Sequence, residues 1–373
     1  MEGIVARYKS TVQSPQTTVF GPWSVDFGLS IDVGSWYHSF YMPAQQLQET
    51  VKAMMATGKG LLAADESSKS VPKRLDPIKV ESNPENRRRF RSLYLEAPGA
   101  EQYMSGVILV DETIRQSGAD GKLFPQSLAA RGIVPGIKVD AGTSTITSFP
   151  NEELTEGLDG LAARLKEYAD LGARFAKWRA VIRIGDGLPS EAMLDANALQ
   201  LAIYAARCQS AGIVPMVEPE VLLHGKHTIE KAEEVTTNVL KTVIAMLKVY
   251  KVDLTGVIMK TSMIVPGDES GAVMDPNLIA EATSRVLRAT IPENMGGVVF
   301  LSGGQTGDQA TLNLNAIKKL GPYPWLVTFC YARALQYPAL DVWAGKDENL
   351  PQAREAFLAR LKACSAASTG NLG

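Results

Sequence analysis

The chain has 373 residues, 45% of them hydrophobic and 21% charged, which suits one large or two ordinary globular domains. A formal net charge of −2 argues against a nucleic-acid partner, and no apolar run approaches the ~18 residues of a membrane span. Three scattered cysteines, Cys208, Cys330 and Cys364, exclude a disulfide framework and point to a reducing compartment, with cytoplasmic location the expectation.

Residues 1–42 carry seven aromatics between Phe20 and Tyr41 among Gly, Ser and Thr, with few charges. They read as an N-terminal extension, a strap that buries its rings against a surface. Residues 42–55 then place Leu47, Val51, Met54 and Met55 at helical spacing. The main domain is expected over residues 43–364. Residues 365–373 are small and polar, the composition of a short flexible tail.

From Gly58 onward, short apolar runs alternate with helical patterns. The runs are residues 60–65, 106–112, 134–140, 173–179, 213–220, 254–262, 297–304 and 325–333. Clear helical patterns occupy residues 158–171, 192–211, 228–250 and 276–289. Eight apolar strands alternating with helices predict an α/β fold with a parallel sheet, and eight is the number that closes a (β/α)8 or TIM barrel. A doubly wound open sheet is the competitor, but no G-x-G-x-x-G follows the first run.

Polar residues stand at or just past the C-terminal ends of these runs: Asp65, Lys138, Lys177, Glu218, Lys260, Ser302 and Arg333. A barrel brings such ends to one mouth, where barrel enzymes carry their chemistry. Lys260 alone could simply mark a strand's exit to solvent. Seven polar ends on seven strands favour a site, with Lys260 as an amine that attacks a carbonyl and forms a Schiff base. Lys177 offers a reason for that amine to be neutral, since two ammonium groups in one mouth disfavour each other's charge. Glu218 and Glu220 alternate to the same face and supply proton transfer, with Glu220 expected to neutralise the lysines.

The glycine-rich turn Ser302, Gly303, Gly304 exposes backbone N–H groups before a helix, a phosphate cradle that Arg333 would complete. A second basic cluster, Lys69, Lys73 and Arg74 beside Ser67 and Ser70, could hold another phosphate or form a solvated helix face. His224 and His227 have no third nitrogen or sulfur ligand beside them, so no metal is expected.

The segments around Asp65-Glu66-Ser67, Lys138-Val139-Asp140, Lys177-Trp178-Arg179, Glu218-Pro219-Glu220, Met259-Lys260 and Ser302-Gly303-Gly304-Gln305 resemble class I fructose-bisphosphate aldolase, over about residues 43–364. Asp111 to Gln116 is similar to the bacterial branch. The resemblance implies reversible aldol cleavage of fructose 1,6-bisphosphate in glycolysis and gluconeogenesis, without metal or cofactor, commonly by a homotetramer. It implies that Lys260 forms the imine, Asp65 takes the C4 hydroxyl proton and Glu218 handles the carbinolamine protons. Lys177 would tune the site and Glu220 would order the lysines. Ser302, Gly303, Gly304 and Arg333 would hold the ketose-end phosphate, and Lys138, Ser67 and Ser70 the far one, with Arg74 and Arg179 also binding substrate.

The chain departs from the family pattern at Thr261, Cys330 and Ala141, and it ends at Gly373 without a long tail and terminal tyrosine. Another lysine-imine barrel acting on a different keto-sugar phosphate or keto acid is the rival enzyme reading, and a silent scaffold the non-enzyme one. Two phosphate sites at opposite ends of one mouth favour a bisphosphate.

Overall fold

The computed structural model describes residues 33–372, with side chains from Ala44 onward. The first 32 residues of the aromatic extension lie outside the described residues. Residues 40–373 form one compact unit.

Among the described residues ten strands occur in chain order: β1 (Gly60–Ala63), β2 (Met104–Leu109), β3 (Val134–Lys138), β4 (Gly142–Ile146), β5 (Phe149–Glu156), β6 (Phe175–Ile182), β7 (Val214–Val221), β8 (Ile258–Thr261), β9 (Gly297–Phe300) and β10 (Val327–Tyr331). Eight of them close a parallel barrel in the order β1-β2-β3-β6-β7-β8-β9-β10, which is the expected (β/α)8 architecture. All eight coincide with runs expected from sequence. They were legible because barrel strands are buried on both faces and so read as continuous apolar segments.

Alternation along each strand makes two cores. Outward residues such as Leu62, Val107, Val217, Met259 and Phe300 pack under the ring of helices. Inward residues Leu61, Ala63, Ile108, Phe175, Met216, Ile258, Val299 and Cys330 fill the barrel. Leu47, Val51 and Met54 of the helix Val33–Met54, with Met55 just past its end, join this inner cluster and close it from below. The backbone is helical from Val33, earlier than expected, because the apolar spacing that marks the helix begins only at Leu47. Gly136 on β3 is required by packing, since a Cβ there would collide with the Phe175 ring.

The major helices start where side chains satisfy their first N–H groups. Ser190, Thr228 and Thr306 cap the helices Glu191–Ser210, Ile229–Val249 and Gly307–Lys319, the last through a capping box with Gln309.

Two further features differ from expectation. Strands β4 and β5 form an antiparallel hairpin between β3 and the next barrel strand. Seven of its residues are Thr, Ser or Glu, with Glu152 and Thr155 buried, so no apolar run announces it. The final helix, Leu350–Ser368, continues past the expected boundary at residue 364, and Ala367 and Ser368 are buried. Small residues look like a loose tail in composition, yet smallness is what lets these turns pack closely.

Candidate active site

Period-2 alternation turns the inward row of each strand from apolar to charged as the chain nears the mouth. On β6 the row is Phe175, Lys177, Arg179; on β7 it is Met216, Glu218, Glu220; on β8 it is Ile258, Lys260. Asp65 follows Ala63 past the end of β1 in the same way. A layer of charge therefore rests on a dry apolar floor. In-register pairing sets Lys138 beside Lys177 and Arg179 beside Glu218.

Four of these groups form an alternating row. Lys177 Nζ donates to Asp65 Oδ2 at 2.9 Å and lies 2.7 Å from Glu218 Oε2. Glu218 Oε1 is 2.8 Å from Lys260 Nζ. Lys177, Glu218 and Lys260 are each 3% exposed, so no water layer screens the row. Buried ions of this kind are expensive to desolvate and persist only when paired.

The row corrects one expectation about proton affinity. Burial favours a neutral Lys177 amine, but Asp65 and Glu218 outweigh it and push its pKa above the usual lysine value. Burial likewise lowers the proton affinity of Lys260, while a Cys330 thiolate and Glu218 raise it by more, and Lys177 opposes them. Burial holds the Cys330 thiol itself up at about 11. Burial pushes Asp65 up, yet Lys177 and Lys260 hold its carboxyl well below the usual carboxylate range. Glu218 is held down against its burial by Lys177 and Lys260 in turn. The sequence shows two lysines; it does not show that two carboxylates stand between and beside them.

Glu220 is also placed differently from expectation. Its carboxylate takes the Arg179 guanidinium, and among the described residues its ion pair is with that arginine, not with the lysines. The hairpin steadies this pair, as Thr155 Oγ1 donates to the Arg179 carbonyl at 2.7 Å.

Asp65, Ser67, Ser70, Arg74, Lys138, Lys177, Arg179, Glu218, Glu220, Lys260, Ser302, Gly303 and Arg333 together line a cavity of about 280 Å³. Gly304 borders a neighbouring cleft with Arg333. Gly303 and Gly304 adopt φ of 57° and 101°, values that a side chain disfavours, and this keeps the turn's backbone open. The Arg333 side chain is exposed and makes no ion pair among the described residues; its Nη2 lies beside Gly304. Across the cavity the Ser67 and Ser70 hydroxyls are 3.0 Å apart, and Lys138 is held by the Asp140 carboxylate and, at 2.9 Å, its carbonyl. Arg74 donates to Tyr337 Oη at 3.2 Å. Lys73 is exposed and outside the cavity lining, so of the two it is the solvated member. Sequence reading passed over Glu66, which lines the cavity; its signal was adjacency to Asp65. His224 and His227 lie off the cavity, and His224 faces Asp268 and Glu269 on the surface.

The family model for fructose-bisphosphate aldolase class-I matches residues 46–373. The chain belongs to this family. A "probable fructose-bisphosphate aldolase class 1" of Xylella fastidiosa is 48% identical over 88% of this chain and 99% of its own length. A cytosolic fructose-bisphosphate aldolase of Arabidopsis thaliana is 50% identical over 84% of this chain and 80% of its own. A solved structure of the Plasmodium falciparum aldolase is 43% identical, with a TM-score of 0.88 over 89% of this chain and 96% of that one. The class-I aldolase match begins at residue 46, in the second half of the helix Val33–Met54, so residues 1–42 fall outside it.

Proposed function

We propose that the chain cleaves fructose 1,6-bisphosphate reversibly to dihydroxyacetone phosphate and glyceraldehyde 3-phosphate through a Schiff base on Lys260. The observation that carries this reading is the buried row Asp65–Lys177–Glu218–Lys260 in a cavity flanked by two separate groups of phosphate-binding residue types. Ser302, Gly303, Gly304 and Arg333 take the ketose-end phosphate, while Ser67, Ser70 and Lys138 take the far one, with Arg74 and Arg179 at the cavity wall.

Lys260 starts as an ammonium, and Glu218 is within reach of its proton. As the C2 carbonyl approaches, Glu218 accepts that proton, the amine adds to C2 as one of its N–H protons passes to the carbonyl oxygen to give the carbinolamine, and Glu218 returns its proton to the hydroxyl, which departs as water. The iminium draws electrons as the C3–C4 bond breaks. Asp65 accepts the C4 hydroxyl proton at that moment. The cations that keep Asp65 ionised also make it a weak base, so its transfer belongs with bond cleavage, when the hydroxyl becomes an aldehyde. Lys177 holds both carboxylates and Glu220 holds Arg179. A place in glycolysis and gluconeogenesis, a cytoplasmic location and a homotetrameric assembly go with this reading through the family alone.

Borohydride with dihydroxyacetone phosphate should inactivate the enzyme and attach the three-carbon unit to Lys260 by mass spectrometry, and a chelator should leave turnover unchanged. An unlabelled Lys260 together with loss of activity in EDTA would reject the imine.

A further inference from the structure

One buried ion pair beside the cavity takes no part in these steps. Arg91, on the helix Pro84–Leu95, is 1% exposed. Its Nη1 donates to Glu66 Oε2 and its Nη2 to the Glu66 main-chain carbonyl at 2.6 Å. Glu66 directly follows Asp65. On the other side of Asp65, the Ala64 amide donates to the Ile108 carbonyl of β2 at 3.0 Å. The Asp65 backbone is therefore bracketed by a barrel hydrogen bond and by one planar guanidinium that grips both main chain and side chain of the next residue.

The second Glu66 oxygen continues the linkage. Oε1 is buried without a hydrogen bond and lies 3.9 Å from Arg74 Nε, which is also buried and unpartnered. Arg74 borders the cavity and packs over the Tyr337 ring. Glu66 thus sits between a fixed cation below and a cation at the cavity edge. Buried ion pairs contribute little net stability compared with apolar residues of similar size. What this one does specify is geometry.

We propose that Arg91 is a positioning residue: through Glu66 it fixes the Asp65 carboxylate and restrains Arg74. It touches no substrate, and the inference rests on the cleavage chemistry proposed above. Misplacing a reacting group by about 1 Å can cost on the order of 10²-fold in rate. Imine formation uses Lys260 and Glu218 on β8 and β7 and does not call on Asp65, so the two steps should separate.

Two variants test this. Arg91→Lys keeps the charge but loses the fork. Arg91→Met combined with Glu66→Gln removes both charges, so no unpaired ion is left in the core. Cleavage of fructose 1,6-bisphosphate and borohydride trapping with dihydroxyacetone phosphate are measured for each, alongside thermal melts. In folded variants kcat for cleavage should fall tenfold or more while the trapped yield stays within twofold of wild type. A folded variant that cleaves within twofold of wild type overturns the positioning role. Equal losses of trapping and cleavage, or failure of both variants to fold, also overturn it, because the pair would then serve the fold at large. Absence of the adduct in wild type rejects the lysine-imine reading instead, and the turnover ratio of the variants still decides Arg91.

Discussion

Lys260 Nζ stands 2.8 Å from Glu218 Oε1 on neighbouring strands, with both residues 3% exposed. An ammonium in contact with a carboxylate cannot attack a carbonyl until the proton crosses between them. Glu218→Gln keeps the shape and removes the acceptor. The variant amine also loses a charge that raises its proton affinity, so its nucleophilicity should not be what suffers. Turnover should fall by the ~10²–10⁴-fold typical of a lost general acid–base group. Rates of borohydride trapping check this, and a loss under tenfold would assign the proton transfer elsewhere.

The same row makes stability depend on pH in a definite direction. Asp65 and Glu218 have lowered pKa values in the folded chain, so between those values and the unfolded ~4 the unfolded state binds more protons. Their stabilisation is present above about pH 4 and is lost as pH falls through the folded values. Lys177 and Lys260 are raised, so their share is present below about pH 10.5 and is lost as pH rises through the folded values. Calorimetric melts from pH 2.5 to 6 should show a steep acid fall in wild type and a shallower one in Asp65→Asn. Equal slopes would mean that the lysines do not hold this carboxylate.

How much of this was legible in the sequence follows from what each residue faces. The eight strands and the polar residues at seven of their ends were readable because burial on both faces leaves an apolar run, and the mouth breaks it. Strands β4 and β5 were not, since a hairpin rich in Thr, Ser and Glu has no such run. The pairing of Glu220 with Arg179 and the 25-residue step from Glu66 to Arg91 depend on register and on how a helix docks, which spacing alone does not encode. The proton affinity of Lys260 needed a distance, that to Glu218, before its sign could be assigned.

Arg333 separates binding from chemistry. Its guanidinium has no ion-pair partner among the described residues and stands beside Gly304 at the glycine-rich turn. Arg333→Ala therefore removes no internal pair, and the melting temperature should be unchanged. A hydrogen bond to a charged group contributes about 1.5–3 kcal/mol, so KM for the bisphosphate should rise roughly ten- to a hundredfold with a smaller change in kcat. An unaltered KM would remove Arg333 and this turn from the phosphate site.

The last helix gives the clearest division between stability and turnover. Cys364 and Ala367 are fully buried, and Ser365 Oγ donates to the Gly58 carbonyl at 2.5 Å. Gly58 lies just before β1, at the end of the barrel opposite the mouth. Beyond the helix, the Leu372 amide donates to Asn315 Oδ1 at 3.1 Å, and the Leu372 side chain packs against the outer core. Deleting residues 366–373 removes the buried Ala367 and the Leu372 contacts and opens the packing around Cys364 and Ser365, a loss of the order of 2–4 kcal/mol by analogy with buried apolar truncations. For a unit of this size that corresponds to a fall in melting temperature of several degrees. Turnover at 25 °C should change less than threefold, which is under about 0.7 kcal/mol in the barrier, because the deleted atoms sit on the far face from Lys260. Scanning calorimetry and steady-state assays on one preparation separate the two effects. A tenfold drop in kcat with an unchanged melting temperature would place the end of the chain in the catalytic cycle.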